Sequence, residues 1–195
     1  MAKRTKVVDK WKLKKWYSVE APALFEGGEI CEVLGTDEKG LKNRILQVNL
    51  ARLTSSRTQT AAFTTVLFRI TDIGATTAKT KLIGHKMSNS FLKTFARRGK
   101  NISHYVVDVK TKDGETLRVK VVAVTAGKVS ATTKKNLGKK IVEEILANLS
   151  PLTFDEAMKD ILYERVGSKI LAKVKSITSM RRIEINKTER KEVFG

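Results

Sequence analysis

The chain has 195 residues, of which 39 are Lys or Arg and 20 are Asp or Glu, so its formal net charge at pH 7 is +19. Hydrophobic residues make up 41% of it, enough to bury a core, which excludes a disordered polycation. One cysteine, Cys31, excludes an intramolecular disulfide and favours a reducing compartment. No segment has the charge and apolar pattern of a secretory signal or the roughly 20 apolar residues of a membrane span.

Residues 1–17 are predicted to form a basic arm with one acidic residue, Asp9. Trp11, Trp16 and Tyr17 are interleaved with the basic residues, a composition that neutralises phosphates and stacks on bases or ribose. The alternatives are a flexible solubilising tail, or an arm that Trp16 anchors to the core. The basic residues of the arm are Lys3, Arg4, Lys6, Lys10, Lys12, Lys14 and Lys15.

Residues 18–126 are predicted to form a β core with one short helix. Alternating apolar and polar residues predict strands around 44–50, 66–70, 78–82, 105–110 and 117–124. Asp113 and Gly114 predict a tight hairpin turn between the last two. In the strand around 78–82 the polar positions are Lys79 and Lys81, which predicts a basic face.

A short helix is expected at residues 88–95, with Phe91, Leu92 and Phe95 packed inward. The run Arg97-Arg98-Gly99-Lys100 follows, and Gly99 is predicted to end the helix. The basic run has two interpretations, RNA contact or solvated charge beyond a helix end.

Residues 127–195 are predicted to be a helical part packed on the β core. A helix is expected at 130–149, with an apolar stripe that includes Leu137, Ile141 and Ile145. Bases crowd its first half, the reverse of what the helix dipole favours, so they are expected to serve something other than helix stability. These bases are Lys134, Lys135, Lys139 and Lys140.

The remaining elements are predicted from capping and periodicity. Thr153 and Glu156 have the spacing of a capping box and predict the start of a second helix, through about 164. Gly167 is predicted to separate it from a third helix at 168–177. A short final strand is expected around Ile183 and Ile185.

The acid-poor segment, residues 41–107, contains twelve Lys or Arg residues and one acidic residue, Asp72. The positive charges of such a segment repel one another and do not stabilise the fold. A partner that supplies negative charge explains the presence of these bases better. A nucleic-acid backbone is the densest polyanion available. The candidate phosphate contacts in this segment are Arg44, Arg52, Arg57, Lys79, Lys81, Arg97, Arg98 and Lys100.

No motif predicts catalysis, a cofactor or a metal. Phosphate-cradling and dinucleotide-binding glycine motifs are absent, and one Cys with two His cannot form a zinc site of the usual spacing. His85 and His104 are interpreted as structural, and the pair Glu143-Glu144 as helix-face charge. The alternatives to a structural RNA-binding protein are an RNA-processing or RNA-modifying enzyme and a basic nucleic-acid-binding architectural protein. For the latter, no helix-turn-helix, zinc finger or basic zipper is recognisable.

Four segments in order resemble one family. Residues 14–25, KKWYSVEAPALF, resemble its Asp-Trp-Tyr…Ala-Pro-Ala-Met-Phe opening, and residues 40–53, GLKNRILQVNLARL, are similar to its Gly-Leu-Lys-Gly-Arg…Leu-Ala-Asp-Leu segment. Residues 107–114, VDVKTKDG, resemble its hairpin, and residues 166–170, VGSKI, its Ile-Gly-Lys-Asp-Ile turn. The family is the S-three-A (eS-one) family of archaeal and eukaryotic small-subunit ribosomal proteins. Arg52 departs from it, because the family often has an acid there.

The resemblance implies an α+β fold with a curled, barrel-like, mostly antiparallel β core. It implies a non-enzymatic structural protein of the cytoplasmic ribosome, with no cofactor. It further implies binding to small-subunit ribosomal RNA on the platform near the messenger exit, beside neighbouring ribosomal proteins, with messenger RNA as a further candidate partner. The expected end at Gly195, without the long polar tail of eukaryotic members, points to an archaeal version.

Overall fold

The computed structural model describes residues 9, 11–25, 28–36, 38–54 and 59–192. Contacts between Cα atoms divide the chain into two compact units, residues 1–48 with 68–82 and residues 49–67 with 83–195. The strands are β1 (Lys15–Glu20), β2 (Glu29–Gly35), β3 (Ile45–Asn49), β4 (Thr64–Ile73), β5 (Thr77–Met87), β6 (Ile102–Lys110), β7 (Thr116–Thr125) and β8 (Met180–Arg190). The helices are α1 (Glu38–Leu41), α2 (Leu50–Leu53), α3 (Gln59–Phe63), α4 (Asn89–Lys93), α5 (Ala131–Leu149), α6 (Phe154–Leu162) and α7 (Arg165–Val174), with a 3-10 turn at Ala23–Phe25.

The strands pair in the order β2-β1-β5-β8-β7-β6, and β4 pairs with β3 and β5. The pairings of β1 with β2, β5 with β8, β6 with β7 and β7 with β8 are antiparallel, whereas β1 and β5 run parallel. The predicted α+β class with a mostly antiparallel sheet is confirmed. The path is open, because β2 and β6 end it and do not pair with each other in the described residues.

The first unit buries one face of β1 and β2. Tyr17, Val19 and Val33 lie in its core with Leu41 and Ile70. The alternative in which Trp16 anchors the arm is wrong, because its side chain is 63% exposed. Successive side chains of a strand point to opposite faces. Because Tyr17 and Val19 are buried on one face, Trp16 lies on the other, exposed face.

The hairpin β6–β7 of the second unit forms at the predicted turn. Gly114 has a φ of +76°, and its N–H donates to the Thr111 carbonyl at 2.9 Å. Strand β7 lies between β6 and β8. Every residue from Val121 to Val124 at its end is buried, so both faces of the strand are covered there, as predicted.

The short helix is confirmed as α4, and it packs through aromatic rings. The rings of Phe63 and Phe91 stack with centroids 4.8 Å apart, and Phe95 meets Phe91 edge-on at 5.0 Å. The prediction that Gly99 ends this helix is wrong. Helix α4 ends at Lys93, and Gly99, with a φ of +78°, instead lies in a separate turn that Lys100 closes by donating its N–H to the Arg97 carbonyl.

Two of the three C-terminal helices, α5 and α6, begin at side-chain caps. The Ser130 hydroxyl accepts from the Thr133 N–H ahead of α5, and Thr153 and Glu156 form the predicted capping box ahead of α6. The prediction that Gly167 separates two helices is wrong, since it lies buried inside α7. The break is at Glu164, whose φ is +59°.

Gly167 has a packing reason to be glycine. An ideal Cβ there would lie 3.1 Å from the Ile183 carbonyl oxygen of β8, so the missing side chain lets α7 approach this strand closely. Strand β8 is longer than predicted, because it pairs with both β7 and β5. No helix in the described ranges combines the length and apolar character needed to cross a membrane.

Candidate nucleic-acid interface

The described part of the arm presents an ordered cation and aromatic pair. The Trp11 N–H donates to Asp9 Oδ1 at 3.0 Å, and Lys14 Nζ lies 3.6 Å from the centroid of the Trp11 ring. Trp11 is 66% exposed, and Lys12 and Lys15 are also exposed. The remaining candidates of the arm lie outside the described residues; they are Lys3, Arg4, Lys6 and Lys10.

A groove in the first unit brings Lys14 together with Arg44. It has a volume of about 460 Å³, and Leu34, Gly35 and Thr36 contribute to its wall. Arg44 Nη1 donates to the Leu34 carbonyl at 3.3 Å, which fixes the guanidinium against β2. The sequence did not predict that these two cations share a groove, because 29 residues separate them.

Strand β5 carries the predicted basic face. Ala78 and Leu82 are buried in the strand, whereas Lys79 and Lys81 are exposed. The alternation that predicted the strand therefore also predicted the side on which its charge lies.

Candidates in the second unit lie on short elements. Arg52 is exposed on α2, whose first turn is capped by the Asn49 side chain accepting from the Ala51 N–H at 2.9 Å. Arg57 lies outside the described residues. Arg97 and Arg98 are exposed on the turn after α4, and Lys100 is half-buried.

The four lysines of α5 fall into two groups. Lys135 and Lys139 are exposed and Lys134 is half-buried, whereas Lys140 Nζ lies 3.5 Å from Glu144 Oε1 and 3.7 Å from Glu143 Oε2. The charge of Lys140 is thus already shared with carboxylates of its own helix. No described carboxylate lies at ion-pair distance from the other three.

Glu144 is not the solvated helix-face charge that the sequence suggested. It is buried, and Lys173 Nζ donates to its Oε2 at 2.6 Å. The hydrogen bond from Lys173, with Lys140 nearby, holds the pKa of this carboxyl below its usual range. Glu143, by contrast, is exposed as predicted.

Other bases of the second unit are likewise paired. Asp108 accepts from Arg118 Nε at 2.8 Å and from Lys191 Nζ at 2.8 Å. These two hydrogen bonds, of which the one from Arg118 has the larger effect, hold the pKa of Asp108 well below its usual range. Arg182 Nε lies 2.7 Å from Glu184 Oε1. These cations have internal partners.

Seven of the candidate bases in the acid-poor segment differ from these paired cations. Within the described ranges, no carboxylate lies at ion-pair distance from any of the seven. These are Arg44, Arg52, Lys79, Lys81, Arg97, Arg98 and Lys100. Their charge is available to an external anion.

The two histidines have different environments. His85 is buried, its Nε2 donates to the Ile185 carbonyl at 3.0 Å, and its Nδ1 lies 2.8 Å from Thr188 Oγ1. Burial lowers the pKa of His85 to about 4, so the ring is neutral near pH 7. Because both ring nitrogens are hydrogen-bonded inside the fold, we assign His85 a structural role. His104 is exposed on β6.

A small cavity is lined by His85 and Glu184. Its volume is about 20 Å³, room for one water. Burial raises the pKa of Glu184 to about 7, and Glu164 raises it further while Arg182 opposes the shift. No cluster of metal-ligating side chains was found in the described residues.

Trp16, one of the aromatic residues of the arm that the sequence suggested for stacking, is 63% exposed. It stands on the outward face of β1, directly opposite Leu34 of β2, whose carbonyl accepts from Arg44. The alternation of Tyr17 and Val19 with residues 16, 18 and 20 could have identified its exposure.

Comparison with known proteins supplies the family. Residues 2–192 match the Ribosomal S3Ae family. The chain is 32% identical to "Small ribosomal subunit protein eS1" of Thermoplasma volcanium over 96% of its own length and 86% of that protein. It is also 32% identical to the proteins of that name from Desulfurococcus amylolyticus, over 95% and 86%, and from Sulfurisphaera tokodaii, over 97% of each chain. The resemblance carried by the four sequence segments is therefore confirmed, and the chain belongs to the ribosomal S3Ae family, with archaeal relatives, and is a ribosomal protein rather than an enzyme.

Proposed function

We propose that this protein is a structural constituent of the small ribosomal subunit that binds small-subunit ribosomal RNA on the platform, near the messenger exit, during translation in the cytoplasm. Family membership over residues 2–192 supports the ribosomal role. The observation that carries RNA binding is the set of seven bases in the acid-poor segment from which no described carboxylate lies at ion-pair distance; all but the half-buried Lys100 are exposed. The platform location is supported by the family resemblance.

The binding mechanism is phosphate neutralisation by basic groups that each of the two units presents. Exposed ammonium and guanidinium groups on β5 in the first unit, and on α2 and the turn after α4 in the second, replace the condensed counterions of the RNA. Their backbone is already folded, so little protein conformational entropy is lost when they meet phosphates. Folded RNA is then distinguished by shape, since backbone contacts carry no sequence information.

Neighbouring ribosomal proteins are the second class of proposed partner. Exposed Glu29 and Glu32 on β2 offer a negative surface in a protein of net charge +19, which suits a basic neighbour. Messenger RNA near the exit would use the same phosphate chemistry as ribosomal RNA.

The test is binding of the full chain to archaeal small-subunit ribosomal RNA at increasing salt. If roughly 6–10 phosphates are contacted, affinity falls by about 10³–10⁵ between about 50 and 200 mM salt. A nearly flat response would contradict phosphate neutralisation.

Two companion measurements check specificity and assembly. Duplex DNA bound as tightly as the ribosomal RNA would indicate an architectural nucleic-acid-binding protein instead. In cell extract, the chain is expected to sediment in stoichiometric amounts with the small subunit, and a free or DNA-bound chain would contradict the proposal.

A further inference from the structure

The surface between β1 and β2 combines an exposed ring with two cations, all within the first unit. Trp16 is 63% exposed and lies opposite Leu34 in the β1–β2 register. Residues directly opposite in an antiparallel pair point to the same face of the sheet. Trp16 therefore points to the same face of the sheet as Leu34, which lines the groove.

The groove holds its cations in fixed positions. Arg44 is anchored by its hydrogen bond to the Leu34 carbonyl, and Lys14 by its ammonium over the Trp11 ring. The described lining residues, which also include Gly40 and Leu41, carry these two positive charges and no carboxylate. The groove is thus suited to an anion of phosphate size.

Gly35 allows β2 to lie against the helix that closes the groove. An ideal Cβ at this position would overlap the Leu41 side chain. Leu41 itself is almost fully buried, at 1% exposure, in the core of the first unit. Gly35 and Leu41 are consequently a close-packed part of the groove wall.

We propose that the groove of Lys14, Leu34 and Arg44, with Trp16 beside it, binds an unpaired nucleotide of RNA. The base stacks on the exposed face of Trp16, and the adjacent phosphates contact Lys14 and Arg44. This inference rests on the proposed function and adds that one point of contact is single-stranded. Stacking needs a free base face, which paired bases within a duplex do not offer.

The chain contains only two tryptophans, so intrinsic fluorescence reports directly on this surface. The full-length protein is titrated with a single-stranded RNA of about ten nucleotides and with a duplex of the same sequence. Anisotropy of a label on the RNA reports binding independently of the indoles. Quenching is expected with the single strand and not with the duplex.

Variants assign the signal to one ring. Trp11→Phe, which leaves Trp16 as the only indole, should retain the quenching, and Trp16→Phe should lose most of it. Trp16→Ala should weaken single-strand binding by about tenfold and leave duplex binding unchanged. Because Trp16 is exposed, a melting temperature equal to that of the parent chain is expected and shows that the fold is intact.

A charge-matched pair tests the phosphate contacts. Lys14→Gln with Arg44→Gln should reduce the salt slope of single-strand binding by about 1.4, since each phosphate contact contributes about 0.7. Lys169→Gln with Lys175→Gln, at exposed positions on α7 and just after it, removes the same charge and should leave the slope unchanged.

The outcomes separate this site from the proposed function. Anisotropy that reports binding without fluorescence quenching, or equal quenching by the duplex, would overturn the nucleotide site and leave RNA binding intact. If other small-subunit proteins protect Trp16 and RNA does not, this face binds a protein neighbour. That result would also overturn the nucleotide site. Failure of small-subunit ribosomal RNA to bind at all would overturn the proposed function first.

Discussion

The acid-poor segment and the paired region, residues 108–192, are both rich in Lys and Arg but use them differently. The paired region has 19 basic and 12 acidic residues, and several of its carboxylates contact cations, as in the ion pairs of Asp108 and Glu144. The acid-poor segment has twelve bases and one acid. Charge content alone therefore does not describe how the two regions use their bases. Among the described residues, seven bases of the acid-poor segment have no carboxylate at ion-pair distance.

The ion pairs of the paired region are mostly at the surface and are not what holds it together. Arg118 and Asp108 side chains are 42% and 36% exposed, a setting in which a pair contributes about 0–1 kcal/mol. The apolar interior stabilises this region more, because Leu137, Ile141 and Ile145 of α5 are fully buried there.

The largest expected effect on stability comes from removing a buried ring of the acid-poor segment while leaving its charge unchanged. Phe95→Ala removes a ring that is 8% exposed and packed on Phe91, two residues before Arg97. The free energy of unfolding should fall by about 3–5 kcal/mol, measured by urea denaturation. RNA affinity of the remaining folded protein should be unchanged.

The control for this variant is Trp16→Ala, which removes a larger ring that is 63% exposed. It should change stability by less than about 0.5 kcal/mol. If the free energy of unfolding fell by a similar amount in both variants, burial of the Phe95 ring would not be what anchors the acid-poor segment.

The next effect concerns the buried titratable groups of the second unit. The pKa of Glu184 is about 7 in the folded chain against about 4.5 unfolded, so folding binds a proton between these values and stability falls as pH rises through them. The pKa of His85 is about 4 folded against 6.5 unfolded, so stability rises with pH between about 4 and 6.5. The two effects oppose each other between about pH 4.5 and 6.5.

Glu184→Gln should therefore leave the pH dependence of stability that comes from His85 unopposed. Its free energy of unfolding is expected to rise by up to about 3 kcal/mol from pH 4 to 6.5, relative to the parent chain, whose profile should be flatter. Urea denaturation at several pH values measures this difference, with Glu143→Gln as the matched control at an exposed carboxylate. Parallel profiles for Glu184→Gln and the parent chain would contradict the burial argument.

Local patterns predicted much of the fold. Alternation placed Val66, Phe68 and Ile70 in a strand interior, and all three are fully buried. The hairpin at Asp113 and Gly114 and the capping box at Thr153 formed as expected, because turns and caps depend on neighbouring residues.

The failures come from tertiary packing, which sequence spacing does not report. Gly167 was interpreted as a helix break, but it permits the close approach of α7 to β8, and the break falls at Glu164, whose left-handed conformation no pattern indicated. The burial of Glu144 depends on Lys173 from another helix. The groove joining Lys14 and Arg44 depends in the same way on elements distant in the sequence.

The most direct test of the central claim removes three charges from each region. One variant carries Arg97→Gln, Arg98→Gln and Lys100→Gln, and the other carries Arg118→Gln, Lys173→Gln and Lys191→Gln, whose cations pair with Asp108 or Glu144. Melting temperature and the salt dependence of affinity for small-subunit ribosomal RNA are measured for both. The first variant should keep its melting temperature and lose about 2–3 from the salt slope. The second should melt lower and keep the slope. Equal losses of slope in the two variants would show that net charge alone governs RNA binding and would contradict the account.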